Sequence, residues 1–342
     1  MPTPPLVSAI RRSLDSAGLA RPGVIVVAAL SGGPDSVALL DALLRAARKR
    51  GVTVVAAHLD HALRQDSQGD VQFCEELCER LKVRLRTGRT GPSAKSLRDG
   101  GLEEAARLIR YSFLRRVARE ENAAAIVLGH TLDDQAETVL MRLVRGSGAL
   151  GLSAMSPWDG ELLRPLLDTR RDAVMAHLNL YRLPYLSDPT NLDTNFTRNR
   201  VRHTLIPMLE KEFNPNISEV LGRTARALAE EHQALREVAA QLLDRAAAPT
   251  VEGSAYELTV LKAAPPGLGK TALREALRRF GGLRSVSFIH LENLWNLVVQ
   301  GRGGSSLPLP GGRTATVSSG RLNFTGRDPE GMGDSREKPF LS

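Results

Sequence analysis

The sequence predicts an α/β protein: a parallel sheet flanked by helices, followed by a long helical linker and a smaller α+β domain. Three observations carry this. Short β-branched runs alternate with helical patterns from Gly23 to Arg145, an order that builds parallel strands joined by right-handed crossovers. Polar residues cluster just after three of those runs. Positive charge is concentrated near the C-terminus, where ten Lys or Arg face only Glu275 and Glu292 between Lys262 and Arg327.

The strands are expected at Gly23–Leu30, Thr53–His58, Val83–Thr87 and Ala124–Gly129, and the helices at Asp35–Arg48, Val71–Leu81, Leu102–Glu120 and Asp133–Arg145. Arg164–Val174, "RPLLDTRRDAV", reads as a strand end and a helix start, and Ser187–Pro207 as a polar loop running into a helix. The Ala- and Glu-rich stretch Ile217–Ala247 is one long helix leading to a second domain built from Tyr256–Phe324. The expected division is 1–215, 216–327 and a disordered tail, 328–342, with few apolar residues.

The 342 residues, 42% apolar and 25% charged, are ordinary globular material. No apolar run approaches the roughly 18 residues of a membrane span, and the N-terminus lacks a signal-peptide pattern. A cytoplasmic protein without membrane contact is expected. Cys74 and Cys78, four apart on a helix and with no further His or Cys ligand nearby in sequence, read as reduced thiols. The local charge of the C-terminal region, +8, equals the formal charge of the whole chain. It suggests either a polyanionic partner larger than a nucleotide or a solvated basic surface.

In parallel α/β sheets ligands bind beyond the carboxyl ends of the strands. Here those positions hold Ser31-Gly32-Gly33-Pro34-Asp35-Ser36, "HLDHALR" (His58–Arg64) and "GHTLDDQAET" (Gly129–Thr138). Glycines between a buried strand and a helix let backbone N–H groups face an anion, and the helix N-terminus adds partial positive charge. The first loop has no lysine and is too short for a Walker motif.

SGGxDS after the first strand resembles the PP-loop of the N-type ATP pyrophosphatases. Together with "HLDHALR", "LEEAARLIRY", "GHTLDDQAETVLMRLVRGSG", "RPLL" and "TNFTRNRVRH", collinear from about Val24 to Pro207, it resembles the tRNA(Ile)-lysidine synthetase family. "SLPLPGG" and "GRLNF" are weakly similar to that family's substrate-binding domain. The resemblance implies a Rossmann-like, adenine nucleotide alpha hydrolase-like sheet and a ligase using ATP and Mg²⁺. ATP adenylates C2 of the wobble cytidine in a tRNA(Ile) with a CAU anticodon, and L-lysine then displaces AMP. Longer family members carry a further C-terminal domain, for which no counterpart is expected here. A homodimer is among the states the sequence allows.

The resemblance also implies roles. Ser31, Gly32, Gly33, Pro34, Asp35 and Ser36 cradle the pyrophosphate. Asp35 and Asp134 supply the carboxylates for Mg²⁺, and Asp133 caps the following helix. The turn at His58-Leu59-Asp60 seats adenine through backbone groups. Glu137 pairs the lysine ammonium or is a surface acid. Arg107 stabilises charge on the adenylated intermediate, or forms a helical salt bridge with Glu103. His61 and Arg64 contact phosphate or tRNA or merely order their loop. Arg198, Asn199 and Arg202 touch RNA or form a solvated helix start. The lysine amine, of reference pKa about 10.4, must lose a proton before it attacks. His130 and His61 are the residues at hand, and the sequence does not choose between them.

A second segment, "APPGLGKT" (Ala264–Thr271), imitates a P-loop but lacks its first glycine, and no acidic Walker-B strand follows. Lys270 is expected to face RNA instead. The enzyme alternative is a related PP-loop tRNA thiolase, disfavoured by the lack of cysteine pairs for metal or persulfide. A mechanical ATPase resting on Lys270 and a non-catalytic RNA chaperone are the rivals from other classes.

Overall fold

The computed structural model describes residues 4–60, 67–90, 94–187, 196–250, 253–283 and 285–326. His61, Arg64 and the 328–342 tail lie outside them, as does the side chain of Glu103. Contacts divide the chain into Met1–Leu228 and Ala229–Ser342.

The first unit begins with α1 (Pro5–Ser16), β1 (Ile25–Ala29), α2 (Pro34–Ala47), β2 (Thr53–Asp60) and α3 (Ser67–Leu81). It continues with β3 (Arg84–Arg89), α4 (Ala94–Glu120), β4 (Ala125–Val127), α5 (Leu132–Val144) and α6 (Ala149–Leu152). Then come β5 (Leu162–Leu163), α7 (Arg171–Leu180), α8 (Thr197–Arg200), a π-helical turn at Val201–Leu205, α9 (Ile206–Glu212) and α10 (Ile217–Ala246). Helix α10 runs through the division: Ile217 and Leu221 pack within the first unit, Leu242, Leu243 and Ala246 in the core of the second.

The five strands are parallel, in the order β3-β2-β1-β4-β5. Alternation sorts their side chains. Val26, Ala28, Val54, Ala56 and Val127 face the layer of α1, α2, α3 and α7, while Val27, Val55, Ala57 and Ile126 face Phe113, Leu114 and Val117 of α4. Each fully buried Leu or Val contributes roughly 1.5–3 kcal/mol, so both faces of the sheet are held. Strand order reverses between β1 and β4, and that switch point is where such sheets open a crevice.

Helix α1 was not expected, although Leu6, Val7, Ile10 and Leu14 form its buried stripe. Strand β2 continues to Asp60, where a turn had been expected from His58. Pairing with β3 through Asp60↔Arg89, and the Thr90 N–H on the Asp60 carbonyl at 2.9 Å, keep it extended.

The second unit completes an antiparallel sheet in the order β6-β7-β10-β9-β8. Its elements are β6 (Ala247–Ala248), β7 (Ser254–Glu257), α11 (Leu258–Lys262), α12 (Pro266–Gly281), α13 (Phe288–Gln300), β8 (Ser306–Leu309), β9 (Arg313–Ser318) and β10 (Arg321–Thr325). Leu273, Leu277, Leu294, Trp295 and Phe324 fill its core. The stretch before "APPGLGKT" is therefore a short strand and then helix α11.

The basic field expected here is partly consumed. Arg313 is buried and donates to the carbonyls of Pro310 and Gly282. Lys270 pairs with Glu292 at 2.5 Å, so it is not a bare cation turned to RNA. Arg278 and Arg279 bind the buried Glu275, Arg279 also Asp244, and Arg321 binds Glu257. Asp244 and Glu257 lie before Lys262 in the chain, which is why a charge count from Lys262 onward misses them.

Candidate active site at the strand ends

Between β1 and α2 the chain folds the loop Ser31–Ser36 onto itself. The Ser31 N–H donates to Ser36 Oγ at 3.1 Å, and the Ser36 hydroxyl donates to the Gly33 carbonyl at 2.9 Å. Gly32 sits at φ +82°, and its carbonyl accepts from the Leu186 N–H at 2.9 Å. A Cβ there would meet Leu186 Cδ1 at 2.7 Å, so the position needs glycine twice over. Gly33 is the extended N-cap of α2 and Pro34 opens the helix; no side chain caps it. Its first-turn N–H groups are thus left to an outside acceptor. The end of β4 comes close: a Cβ on Gly129 would lie 3.0 Å from the Asp35 carbonyl oxygen.

Helix α5 starts beside this loop. Its N-cap is Thr131, joined reciprocally to Asp134 in a capping box, which corrects the expectation that Asp133 is the cap. Asp133 Oδ2 instead accepts the backbone N–H of Arg171 at 2.9 Å. Asp134 Oδ2 accepts the Thr131 N–H at 2.9 Å and its hydroxyl at 3.1 Å. The other oxygen takes Arg198 at 3.0 Å and Arg202 at 3.2 Å. Glu137, only 1% exposed, receives Arg198 Nε at 2.7 Å and Arg202 Nε at 2.5 Å. Val201 and Ile206 pack on Ala136 and Leu140, holding the π-turn segment where its two arginines meet these acids.

Burial pushes the Asp134 carboxyl upward, but Arg198, His130, the Thr131 N–H and Arg202 outweigh it and hold it below the usual range. Asp35 goes the other way. Burial lifts it to about 6; Arg171 opposes and Asp134 reinforces the rise. Its Oδ1 is buried without a hydrogen-bond partner. His130 is pulled below its ordinary value by burial against the pull of Asp134, and is neutral at pH 7; its Nδ1 is also unpartnered.

With this geometry, the chain's relatives can be compared. Residues 8–209 match the PP-loop domain family, and residues 257–322 match the TilS substrate binding domain. The tRNA(Ile)-lysidine synthase of Thermobifida fusca is 36% identical over 332 residues, covering 94% of this chain and 98% of that one. The chain belongs to the tRNA(Ile)-lysidine synthase family. The synthase of Geobacter sulfurreducens is 38% identical over 318 residues, covering 91% of this chain and 67% of its own length. Among solved structures, the U34-tRNA thiolase NcsA of Methanococcus maripaludis, with its [4Fe-4S] cluster, aligns with a TM-score of 0.55 at 19% identity. That alignment covers 66% of this chain and 79% of the thiolase, a likeness of fold. The first unit thus has the Rossmann-like architecture expected. Cys74 and Cys78 are both buried on α3.

In this lysidine synthase family member, the strand ends bring together Ser31–Ser36, Asp35, His130, Asp134 and Glu137. His58 and Asp60 are buried in β2; His58 Nδ1 donates to the Leu30 carbonyl at 2.9 Å beside the Cys74 thiol at 3.4 Å. Arg107 lies over the Tyr111 ring at 5.2 Å, and its charge reaches Arg142. On the same helix, Arg110 is the arginine whose charge reaches His130.

For Mg²⁺, the orphaned oxygen of Asp35 fits a cation. Both oxygens of Asp134 already accept hydrogen bonds, so it fits only when Arg198 and Arg202 release Oδ1. Among the described residues no group of three or more His, Cys, Asp or Glu is placed to hold a metal ion. Phosphate oxygens then have to complete the shell.

Sequence reasoning passed over Arg171 and misjudged Arg198 and Arg202. The i,i+3 spacing of Asp134 and Glu137 against the i,i+4 spacing of Arg198 and Arg202 was a signal for the quartet.

Proposed function

We propose that this chain ligates L-lysine to C2 of the wobble cytidine of a CAU-anticodon tRNA(Ile), releasing AMP and pyrophosphate. The observation that carries the reading is the switch point: the uncapped Ser31–Ser36 loop at the end of β1 lies against Gly129 at the end of β4, three residues before the acid-bearing α5, within a chain aligned to a lysidine synthase along 94% of its length.

In this reading the cytidine O2 attacks the α-phosphorus of ATP and the bond to pyrophosphate breaks. The loop N–H groups and the Ser31 and Ser36 hydroxyls receive the phosphates. Asp35, with Asp134 on release of its arginines, would hold Mg²⁺, which when bound offsets phosphate charge. The lysine side-chain amine, after giving up its ammonium proton, then bonds to C2, and AMP leaves with the cytidine oxygen. Glu137 takes the substrate ammonium by exchanging an arginine, so the site holds charge balance before and after. His58 to Asp60 seat the adenine, and Arg107 meets the charge of the adenylated intermediate.

The second unit takes the tRNA. Because several of its cations are already paired, its salt response should report fewer phosphate contacts than its formal charge, with log K falling by roughly 0.7 to 0.9 per contact against log salt. Among the described residues no helix is long and apolar enough to cross a membrane; tRNA, ATP and lysine meet in the cytoplasm. A homodimer remains part of the proposal, read by sedimentation.

The test is incorporation of radiolabelled lysine into tRNA(Ile) with ATP. The expected result is label on tRNA with one AMP and one pyrophosphate per lysine. ATP consumption with sulfur but not lysine transferred would favour the thiolase alternative and overturn the reading.

A further inference from the structure

We propose that Arg171 grips the β- and γ-phosphates of the nucleotide, and the pyrophosphate that leaves, as the cation that the Ser31–Ser36 loop lacks. This rests on the reading of the site as an ATP site. Between Leu30 and Val37 the chain has no Lys or Arg, and the loop offers a highly charged anion only N–H and hydroxyl dipoles, with the Asp35 carboxylate repelling it.

Among the described residues the structure places one loosely engaged arginine at that loop. Arg171 opens α7, its side chain is 40% exposed, and its Nη1 stands 3.7 Å from Asp35 Oδ2. That is the outer limit of an ion pair rather than a charge-assisted hydrogen bond, which is about 2.7–2.9 Å. Two other arginines of the site, Arg198 and Arg202, are engaged with Asp134 and Glu137 at 2.5–3.2 Å. Of these three, Arg171 is therefore the one that can turn to phosphate before lysine or a metal ion has displaced the others, and Asp35 would trade it for a metal ion.

Its backbone is pinned at both ends of the same helix. The Arg171 N–H is held by Asp133, and the preceding Arg170 pairs with Glu219 at 2.9 Å and Glu210 at 3.5 Å. Two turns along, His177 Nε2 meets Asp41 of α2 at 2.8 Å, in the buried interior. Arg45 closes the same acid at 2.6 Å and stacks over Tyr181 at 3.5 Å. Helix α2 begins at the loop and α7 begins at Arg171, so this lock fixes the distance between the loop and the base of the arginine. Only the side chain has to be ordered on binding, which keeps the cost of recruiting it small.

The experiment titrates wild type, Arg171→Gln and Arg171→Lys with ATP, inorganic pyrophosphate and AMP by calorimetry, alongside tRNA binding and melting temperature. Wild type is expected to bind all three. In Arg171→Gln the Kd for ATP and for pyrophosphate should rise about 10- to 100-fold, the size of a lost charge-assisted contact, while AMP, which lacks the outer phosphates, binds as before. Arg171→Lys should recover part of the loss. Equal loss for AMP would mean that the site has merely collapsed, and unchanged ATP and pyrophosphate affinity would mean no contact; either overturns the proposal. Loss of tRNA affinity alone would assign Arg171 to the RNA backbone and also overturn it. Wild type that binds no ATP at all would instead sink the reading of the site itself.

Discussion

Two segments of this chain set glycines beside a proline and a helix, and they fold into opposite things. In Ser31–Ser36 the glycines precede Pro34, which opens α2. Gly32 is free to take φ +82°, and the N-terminus of the helix is left without a side-chain cap. In Ala264–Thr271 the prolines come first: Pro265 is the N-cap and Pro266 opens α12, so Gly267 and Gly269 become helix interior. Gly269 then serves packing, since a Cβ there would sit 2.1 Å from Trp295. Proline favours the first helical position, so its place relative to the glycines decides whether they make a loop or a surface. Glycine content by itself tells the two apart poorly.

The largest effect should come from breaking the first segment. Gly32→Ala asks a side chain to adopt the left-handed region against Leu186, and the loop must shift; lysine-dependent AMP release should fall on the order of 100-fold, as misplaced reacting groups do. Unchanged turnover in that variant would remove the loop from the chemistry.

The next effect is a stability difference that depends on pH. Asp35 has a folded pKa raised from 3.8 to about 6, so the folded state holds its proton more tightly than the unfolded chain. Stability from this group is complete below 3.8 and is lost as pH rises through about 6. Asp35→Asn should therefore match wild type at the acid end and exceed it by about 3 kcal/mol at pH 8, measured by urea unfolding across the range. A gap that is constant with pH would show that the carboxylate is not under this strain.

The smallest effects belong to the second segment. Gly267→Ala meets nothing within 4 Å and, at the second position of α12, should stabilise by less than about 1 kcal/mol through helix propensity. Lys270→Ala gives up an ion pair with Glu292 that is about a third exposed on each side, which is worth less than about 1 kcal/mol. Neither should move ATP affinity in calorimetry. A loss of ATP binding in either would erase the contrast between the two segments.

Much of the first unit was legible because it is local. The strand–loop–helix order around Ser31–Ser36 and the buried β-branched runs follow from neighbouring residues. The capping box of Thr131 and Asp134 was equally local, with the residues three apart, but the acid at 133 drew attention from it. Strand β5, two residues long, leaves no periodic trace. The pairing of Arg198 and Arg202 with Asp134 and Glu137 links positions more than sixty residues apart, and charge alone does not say which partner an arginine will find. The same limit applies to Arg171, whose approach to Asp35 depends on α7 lying beside α2. In the second unit, Glu275 gathers Arg236, Arg278 and Arg279. Reversing Arg278 and Arg279 would therefore strand a buried acid before it told anything about RNA.

The buried thiols of α3 make the first unit its own reporter. The chain has only two cysteines, Cys74 and Cys78, and burial pushes their thiols up to about 12 and about 11. A thiol that stays protonated at neutral pH is a poor nucleophile, so a disulfide dye should ignore the folded protein. The rate at which colour appears then measures the opening of the nucleotide-binding half alone, in a chain whose other half carries no sulfur that the dye can see.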